Sequence, residues 1–232
     1  MFRRCNNYKY LHQFLQLNNI HYWYRCYNLV LISIINFISL LCSFFIMAYF
    51  YTLSIQPMKR SVKFGDKAWR DCKNFRSIGG FGELLSVINL VLWIWFPLPI
   101  VSEWIISSNI WIGIIIGICI MIPCVLIMMK GIKDAGSETL SPSKNTQMYG
   151  GIYNHIRHPQ TLGEFPTFVA ISFFFNSWFL VILSSVFIII YTPIMIHYEE
   201  IDLAKRFGEK YKEYRKRTGA LFPKLIKTSK LK

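Results

Sequence analysis

The sequence predicts an all-α membrane protein: an integral helical bundle of about five transmembrane helices, followed by an amphipathic C-terminal helix. Three observations carry this. Residues 29–53 form a run of 25 without a charged side chain, and about 20 apolar residues suffice to cross a hydrocarbon core of ~30 Å. The whole chain of 232 residues is 53% hydrophobic and 16% charged, where a soluble domain carries roughly a quarter charged residues. Its basic residues, finally, stand in blocks beside apolar runs.

The elements follow in order. Residues 1–28 are a polar and aromatic segment, with Tyr22, Trp23, Tyr24 and Tyr27 where an interfacial aromatic belt would lie. A first helix is predicted over 29–53 and is ended by Gln56-Pro57. A basic loop, 54–79, comes next. The second helix spans 81–105, and Pro97 and Pro99 should kink it. A tight link at 107–109 leads to a third helix, 110–129, with a further kink expected at Pro123. A polar loop, 130–152, precedes a short fourth helix over 160–175. Asn176-Ser177 makes a turn, and a fifth helix runs from Trp178 to His197. From Glu199 to Gly219 the pattern is that of a charged amphipathic helix. Three regions result: the N-terminal segment 1–28, transmembrane helices 29–129, and a chemistry-bearing region 130–232.

The net charge of +14 is compatible with nucleic acid, but its distribution points to membranes. Eleven of the 26 Lys and Arg lie after residue 204, and seven more between Lys59 and Arg76. Such flanks mark the cytoplasmic ends of membrane helices and favour anionic lipid, not nucleic acid, as partner. One side of the bundle collects 22 basic residues and the other four. The expected topology is multi-pass, with the N-terminus outside and a cytoplasmic C-terminus. The six cysteines include no CxxC pair and read as small buried hydrophobes. The first apolar run starts too late and runs too long for a cleavable signal peptide.

Chemistry is sought where polar groups stand in place of cheaper apolar ones. Tyr153, His155, Arg157, His158 and Glu164 gather within twelve residues at the mouth of the fourth helix. A carboxylate at membrane depth is costly and marks function, unless Glu164 merely favours a helix N-terminus at the interface. A second cluster, His197-Tyr198-Glu199-Glu200, closes the fifth helix. Its adjacent carboxylates are tolerable with a cation between them, or as the solvated start of the next helix, paired with Lys205 or Arg206. Both clusters fall on the basic side, so one pocket can hold both.

These residues carry a resemblance. Gly151 and Tyr153, then Arg157-His158-Pro159, a helical hairpin, Glu199-Glu200, Phe207-Gly208 with Tyr211 and Tyr214, and Phe222-Pro223 stand in the order and spacing of the isoprenylcysteine carboxyl methyltransferase family. The match covers about a third of the chain; the first 130 residues are alike only in being hydrophobic spans. The resemblance implies an integral membrane methyltransferase that uses S-adenosyl-L-methionine in a site facing the cytosol. By that likeness His158 would contact the cofactor, and Tyr153 with its neighbouring backbone would line the adenosine. Glu199 or Glu200 would face its cationic end, with Gly151, Pro159 and Tyr211 in the same cofactor-binding set. The substrate would be lipidic and enter sideways between helices, with the carboxylate of a prenylated cysteine as the implied acceptor and a phospholipid amine as the next choice.

Methyl transfer from a sulfonium needs positioning and exclusion of water more than a nucleophilic side chain, and no such nucleophile stands out. A carboxylate acceptor is already ionised at neutral pH, and Arg157 would orient it through paired hydrogen bonds. An amine acceptor needs a base, for which Glu164 or Glu200 would serve. Arg157, Glu164 and Glu200 are therefore the catalytic candidates. Thr161 stands where many family members have Tyr. The segment from His158 to Glu164 also resembles the His-Pro-x-x-x-Gly-Glu of membrane steroid-reductase-like proteins, which leaves open a nicotinamide reductase; the paired glutamates would repel its phosphates. A di-iron centre is disfavoured, since five histidines do not fill its ligand boxes, and no metal is expected. A transporter would put its polar residues near the midplane. A scaffold without activity gives no reason for Arg157, His158 and Glu164 to crowd one helix mouth.

Overall fold

The computed structural model describes residues 20–224 apart from 145–147 and 149, with side chains from residue 27 onward. The chain forms α1 (Ile20–Ser54), α2 (Pro57–Phe64), α3 (Lys67–Leu92), α4 (Ile110–Ala135), α5 (Pro159–Phe174), α6 (Trp178–Phe207) and α7 (Glu209–Arg217). Short 3-10 turns stand at Pro99–Val101, Gly136–Thr139 and Gly151–Asn154. Among the described residues, four helices are long and apolar enough to cross a membrane: Tyr27–Ser54, Lys67–Leu92, Ile110–Thr139 and Trp178–Phe207. The fifth predicted span is α5, whose 16 residues rise only about 24 Å. The fold is the integral membrane helical bundle that the sequence predicts.

The bundle holds together in two layers of contact. Its core joins Leu40, Phe44 and Met47 of α1 to Leu90 of α3, Phe168 of α5 and Leu180 of α6. Phe44 stacks on Phe187 with ring centroids 4.5 Å apart. Beyond that, backbones approach closely where glycine allows it, as at membrane helix crossings generally. A Cβ on Gly163 of α5 would lie 2.5 Å from the Cys124 carbonyl oxygen of α4. One on Gly82 of α3 would lie 2.8 Å from the Met47 amide nitrogen of α1. Buried hydroxyls add interhelical hydrogen bonds: Ser86 donates to Ser43 at 2.8 Å, and Ser172 and Ser184 sit 3.1 Å apart. Large apolar side chains such as Phe45, Ile115, Leu126 and Ile189 point outward, as a lipid-facing surface requires.

Several boundaries differ from expectation. The basic segment 54–79 is not a loop. Pro57 opens α2, and α3 starts at Lys67, because Lys, Arg and Ala are good helix formers and a charged run can extend a span beyond the membrane. The second membrane helix is correspondingly displaced. It ends at Leu92, and Pro97 and Pro99 lie after it in an irregular stretch instead of kinking it. Glu199 continues α6 without interruption, and the break comes at Gly208, whose φ of 60° turns the chain into α7. Helix α1 starts at Ile20, earlier than predicted. Tyr27 is exposed; the side chains of Tyr22, Trp23 and Tyr24, and residues 1–19, lie outside the described residues. Of the cysteines described, Cys72 alone is buried, while Cys42 and Cys119 face outward.

The two links free of basic residues meet at one end. The Asn176 side chain donates to the Ser107 carbonyl at 2.8 Å and accepts from the Ser107 amide at 3.1 Å. Asn176 has φ 52°, a left-handed conformation that Asn tolerates better than most residues. The basic connections gather at the other end, where the site lies.

Candidate functional site

The site is built where α5 begins, α6 ends and α7 folds back. Pro159 starts α5, so Arg157 and His158 sit just outside its first turn. They are fixed there by the C-terminal turn, whose Gly219 carbonyl accepts from the Arg157 amide at 2.9 Å and whose Ala220 carbonyl accepts from the His158 amide at 3.0 Å. Only glycine fits at 219, since a Cβ there would collide with the Phe222 carbonyl oxygen. The Tyr214 hydroxyl of α7 donates to the Tyr153 carbonyl at 2.6 Å, and α7 thereby closes over the site.

Glu200 is the hub. Its Oε1 accepts from Arg157 Nη2 at 2.6 Å, from Arg157 Nε at 2.8 Å and from His158 Nε2 at 3.2 Å. Its Oε2 pairs with Arg215 Nε at 3.0 Å. His158 reaches Glu199 Oε2 with its other ring nitrogen, Nδ1, at 2.9 Å. An imidazole with a carboxylate on each nitrogen is an imidazolium donating twice. Burial presses the His158 pKa down, but the Glu199 charge and hydrogen bonds to both glutamates outweigh it and raise it to about 9. Adjacent carboxylates are thus held together by a cation between them. Arg157 Nη1 also donates to the carbonyls of Thr218 and Arg215. Its guanidinium is engaged by protein groups, which displaces the expectation that Arg157 orients an acceptor.

A cleft opens beside this hub, about 950 Å³ with its mouth and the adjoining open space included. Tyr153, Arg157, His158, Glu199, Tyr211 and Tyr214 line it on one side, and Tyr51, Arg76, Glu138, Gln160, Thr161 and Arg206 on the other. Glu200 does not line it. Of the two glutamates, Glu199 faces the cleft and Glu200 anchors the wall. Tyr153 is buried; its hydroxyl accepts from Gln160 Nε2 at 2.9 Å. Gly151 has φ 60° and abuts Asp134, whose carboxylate accepts from the Ile152 amide at 2.7 Å and orders the turn before Tyr153. Pro159 is fully buried behind the cleft. The Tyr211 hydroxyl is buried and has no hydrogen-bond partner among the described residues, which such groups seldom lack without a ligand or water to satisfy them. Burial raises the Tyr214 hydroxyl to about 12 and the Tyr153 and Tyr211 hydroxyls as well.

Glu164 is not part of this cluster. It lines a second, adjoining cavity with Glu83 of α3. Glu83 went unnoticed in the sequence, although it is also a carboxylate in an apolar run. Arg76 and Asp202 were also missed, and Arg206, expected to pair with Glu199 or Glu200, has another partner. Arg206 of α6 pairs with Glu138 at 2.6 Å, both side chains being buried. Arg76 donates to the carbonyls of Glu138 and Thr139 at 2.7 and 2.9 Å. Asp202 accepts from the amides of Met58 and Lys59 at 3.1 and 2.7 Å, capping α2. His155 is exposed. No group of three or more potential metal ligands occurs among the described residues.

The chemistry of the cleft fits S-adenosylmethionine. Aromatic rings suit an adenosine, the Glu199 carboxylate suits a sulfonium or an ammonium, and the unpartnered Tyr211 hydroxyl suits a polar ligand atom.

Comparison with known proteins bears on the chemistry, not on the cofactor. Residues 108–210 match the phospholipid methyltransferase family. That range holds α4 to α6, the Arg157-His158-Pro159 corner and both glutamates of the hub. Methanethiol S-methyltransferase 2 of Bradyrhizobium diazoefficiens is 26% identical over 152 residues, which cover 60% of this chain and 56% of that enzyme. This chain therefore spans little more than half the length of that relative. No solved structure matches it. The matching family and that relative are both methyltransferases, as is the family the sequence resembles.

Proposed function

We propose that this chain binds S-adenosylmethionine in the cleft beside Glu200 and transfers its methyl group to a nucleophile carried on an apolar anchor. The observation that carries this reading is the Arg157–His158–Glu199–Glu200 network. It stands on the edge of a cleft whose lining combines aromatic rings with one accessible carboxylate. The site lies at the basic end of the bundle, so the reading takes it to face the cytoplasm. The prenylated-cysteine carboxylate implied by the sequence and a phospholipid amine both belong to the acceptor class.

The cofactor supplies an activated methyl on a positively charged sulfur. What remains for the protein is placement and desolvation. In this reading Glu199, held by His158, faces the cationic end of the cofactor, and Tyr211 offers its free hydroxyl. Gln160 fixes the Tyr153 ring. Helix α7, tied down by Tyr214 and by the Thr218–Ala220 turn, keeps water out from above.

Isothermal titration of the detergent-solubilised protein tests this. S-adenosylmethionine should bind, and Glu199→Gln should weaken it about tenfold, the loss of one charge-assisted contact. A phosphorylated nicotinamide dinucleotide should not bind, because the accessible carboxylate of the cleft, Glu199, would face its phosphates. Binding of the dinucleotide in place of S-adenosylmethionine would replace this reading with a reductase. Binding of neither by folded protein would leave a scaffold.

A further inference from the structure

Arg76 of α3 is a half-buried cation with one edge of its guanidinium unused. Its Nη1 donates to the Glu138 and Thr139 carbonyls at 2.7 and 2.9 Å. These bonds fix the side chain where it lines both the cleft and the adjoining cavity. The other edge of the fork is formed by Nε and Nη2. Nε reaches only the Ser54 hydroxyl, at 3.5 Å, which is long for an N–H···O bond. Nη2 has no hydrogen-bond partner among the described residues. Arg157 uses the same edge, Nε with Nη2, to grip Glu200. In Arg76 that edge is free.

Charge singles it out as well. Among the described residues, four cationic side chains line the cleft: Arg76, Arg157, His158 and Arg206. Arg157 is paired with Glu200, His158 with Glu199 and Glu200, and Arg206 with Glu138. Arg76 forms no ion pair among the described residues, and its close acceptors are neutral carbonyls. A guanidinium held in this way keeps its charge uncompensated and presents a planar fork that suits a carboxylate. An anion coming through the adjoining cavity would meet Glu83 and Glu164. An anion coming through the cleft meets Glu199, and is welcome there only if it brings a cation of its own. Arg76 and Glu199 stand close enough to act on one side chain. The Arg76 guanidinium lies 6.0 Å from the centre of the Tyr51 ring, and the Tyr51 hydroxyl feels the charges of Glu164, Arg76 and Glu199. An α-amino acid has what this wall asks for, an ammonium and a carboxylate on one carbon.

We infer that Arg76 binds the α-carboxylate of S-adenosylmethionine while Glu199 takes its α-ammonium. This rests on the methyltransferase reading above and deepens it. The amino-acid head is then held at both of its charges, and the sulfonium further along the same chain is oriented by those two fixed points. Arg76 lies outside residues 108–210, which match the methyltransferase family. Helix α3 therefore does more than anchor the chain: it completes a cofactor site whose other walls come from α5, α6 and α7.

The test is isothermal titration of the full chain in detergent with two ligands. One is S-adenosylmethionine. The other is decarboxylated S-adenosylmethionine, which keeps the adenosine, the sulfonium and the ammonium and lacks the carboxylate. The wild type should bind S-adenosylmethionine about 30-fold more tightly, the worth of one charge-assisted fork. Arg76→Gln should bind the two alike, having lost affinity for S-adenosylmethionine alone; its unchanged affinity for the decarboxylated ligand certifies the fold. Arg76→Lys, which keeps the charge without the fork, should keep part of the preference. Equal affinities in the wild type would overturn the inference. So would an Arg76→Gln protein that binds both ligands more weakly by the same factor, the result expected of a bracket that only holds the Glu138–Thr139 turn, or one that retains the full preference. If Arg76→Gln does not fold, the wild-type comparison and Arg76→Lys decide. Failure of the wild type to bind either ligand would sink the methyltransferase reading itself, a result distinct from a loss of discrimination.

Discussion

Two pairs of glutamates lie in neighbouring parts of this bundle and live in opposite surroundings. Glu199 and Glu200 are met by Arg157, His158 and Arg215. Glu83 and Glu164, which line one chamber with Arg76, form no ion pair among the described residues, since Arg76 is turned to the Glu138 and Thr139 carbonyls. The first pair is a joint: it ties the end of α6 to the start of α5 and to α7. The second has nothing to hold and is poised for something from outside. Burial of a carboxylate therefore does not by itself reveal its use; its partners do. A satisfied pair is architecture even inside an active site, and an unsatisfied one invites a ligand.

The largest effects should come from breaking the joint. Glu200→Ala would leave Arg157 and His158 buried and without their central acceptor. Removing one partner of a buried ion pair costs about 3–5 kcal/mol, and denaturation in detergent should show a loss of that order. The corresponding change in the other pair, Glu83→Gln, should leave stability unchanged or raised, because it discards an unpaired charge. Equal losses in the two variants would erase the distinction between the pairs.

The same contrast shows what could be read in the sequence. Five apolar segments, the short fourth helix and the Asn176-Ser177 turn were legible, because uninterrupted apolar length and turn residues are local properties. The boundaries of the charged stretches were not. Lys67–Arg76 is polar enough to look like a loop, yet nothing in it breaks a helix, whereas Gly208 inside an apparently continuous amphipathic stretch does. In the site, Arg157, His158, Glu199 and Glu200 were found together because they crowd two short segments on the same side of the membrane. Their division of labour was not, since which glutamate faces the cleft depends on the side chain's position around α6. Glu83 was overlooked for a different reason: it stands 81 residues from Glu164, and only the packing of α3 against α1 and α5 brings the two to one chamber.

A smaller effect follows from the charge on His158. Its pKa is raised from 6.5 to about 9 in the folded protein. The protonated ring's contribution to stability is then fully present below pH 6.5 and is lost as pH rises through about 9. The midpoint of thermal unfolding should fall across that window in the wild type. His158→Gln, unable to titrate, should flatten that decline. An identical decline in the variant would mean that the imidazolium is not the cation between the two glutamates.

The smallest expected effect is also the most selective. Tyr211→Phe removes a buried hydroxyl that has no partner among the described residues, so the free protein should lose nothing and gain up to about 1 kcal/mol, since an unsatisfied polar group is itself a cost. If that hydroxyl meets a polar atom of S-adenosylmethionine, the same change should weaken cofactor binding by about 5–10-fold, the worth of one hydrogen bond. Opposite signs in the two measurements are what a ligand-directed group predicts. A drop in stability with unchanged affinity would show instead that Tyr211 has a partner within the protein, and would move it from the unsatisfied class, with Glu83 and Glu164, to the satisfied one, with Glu200.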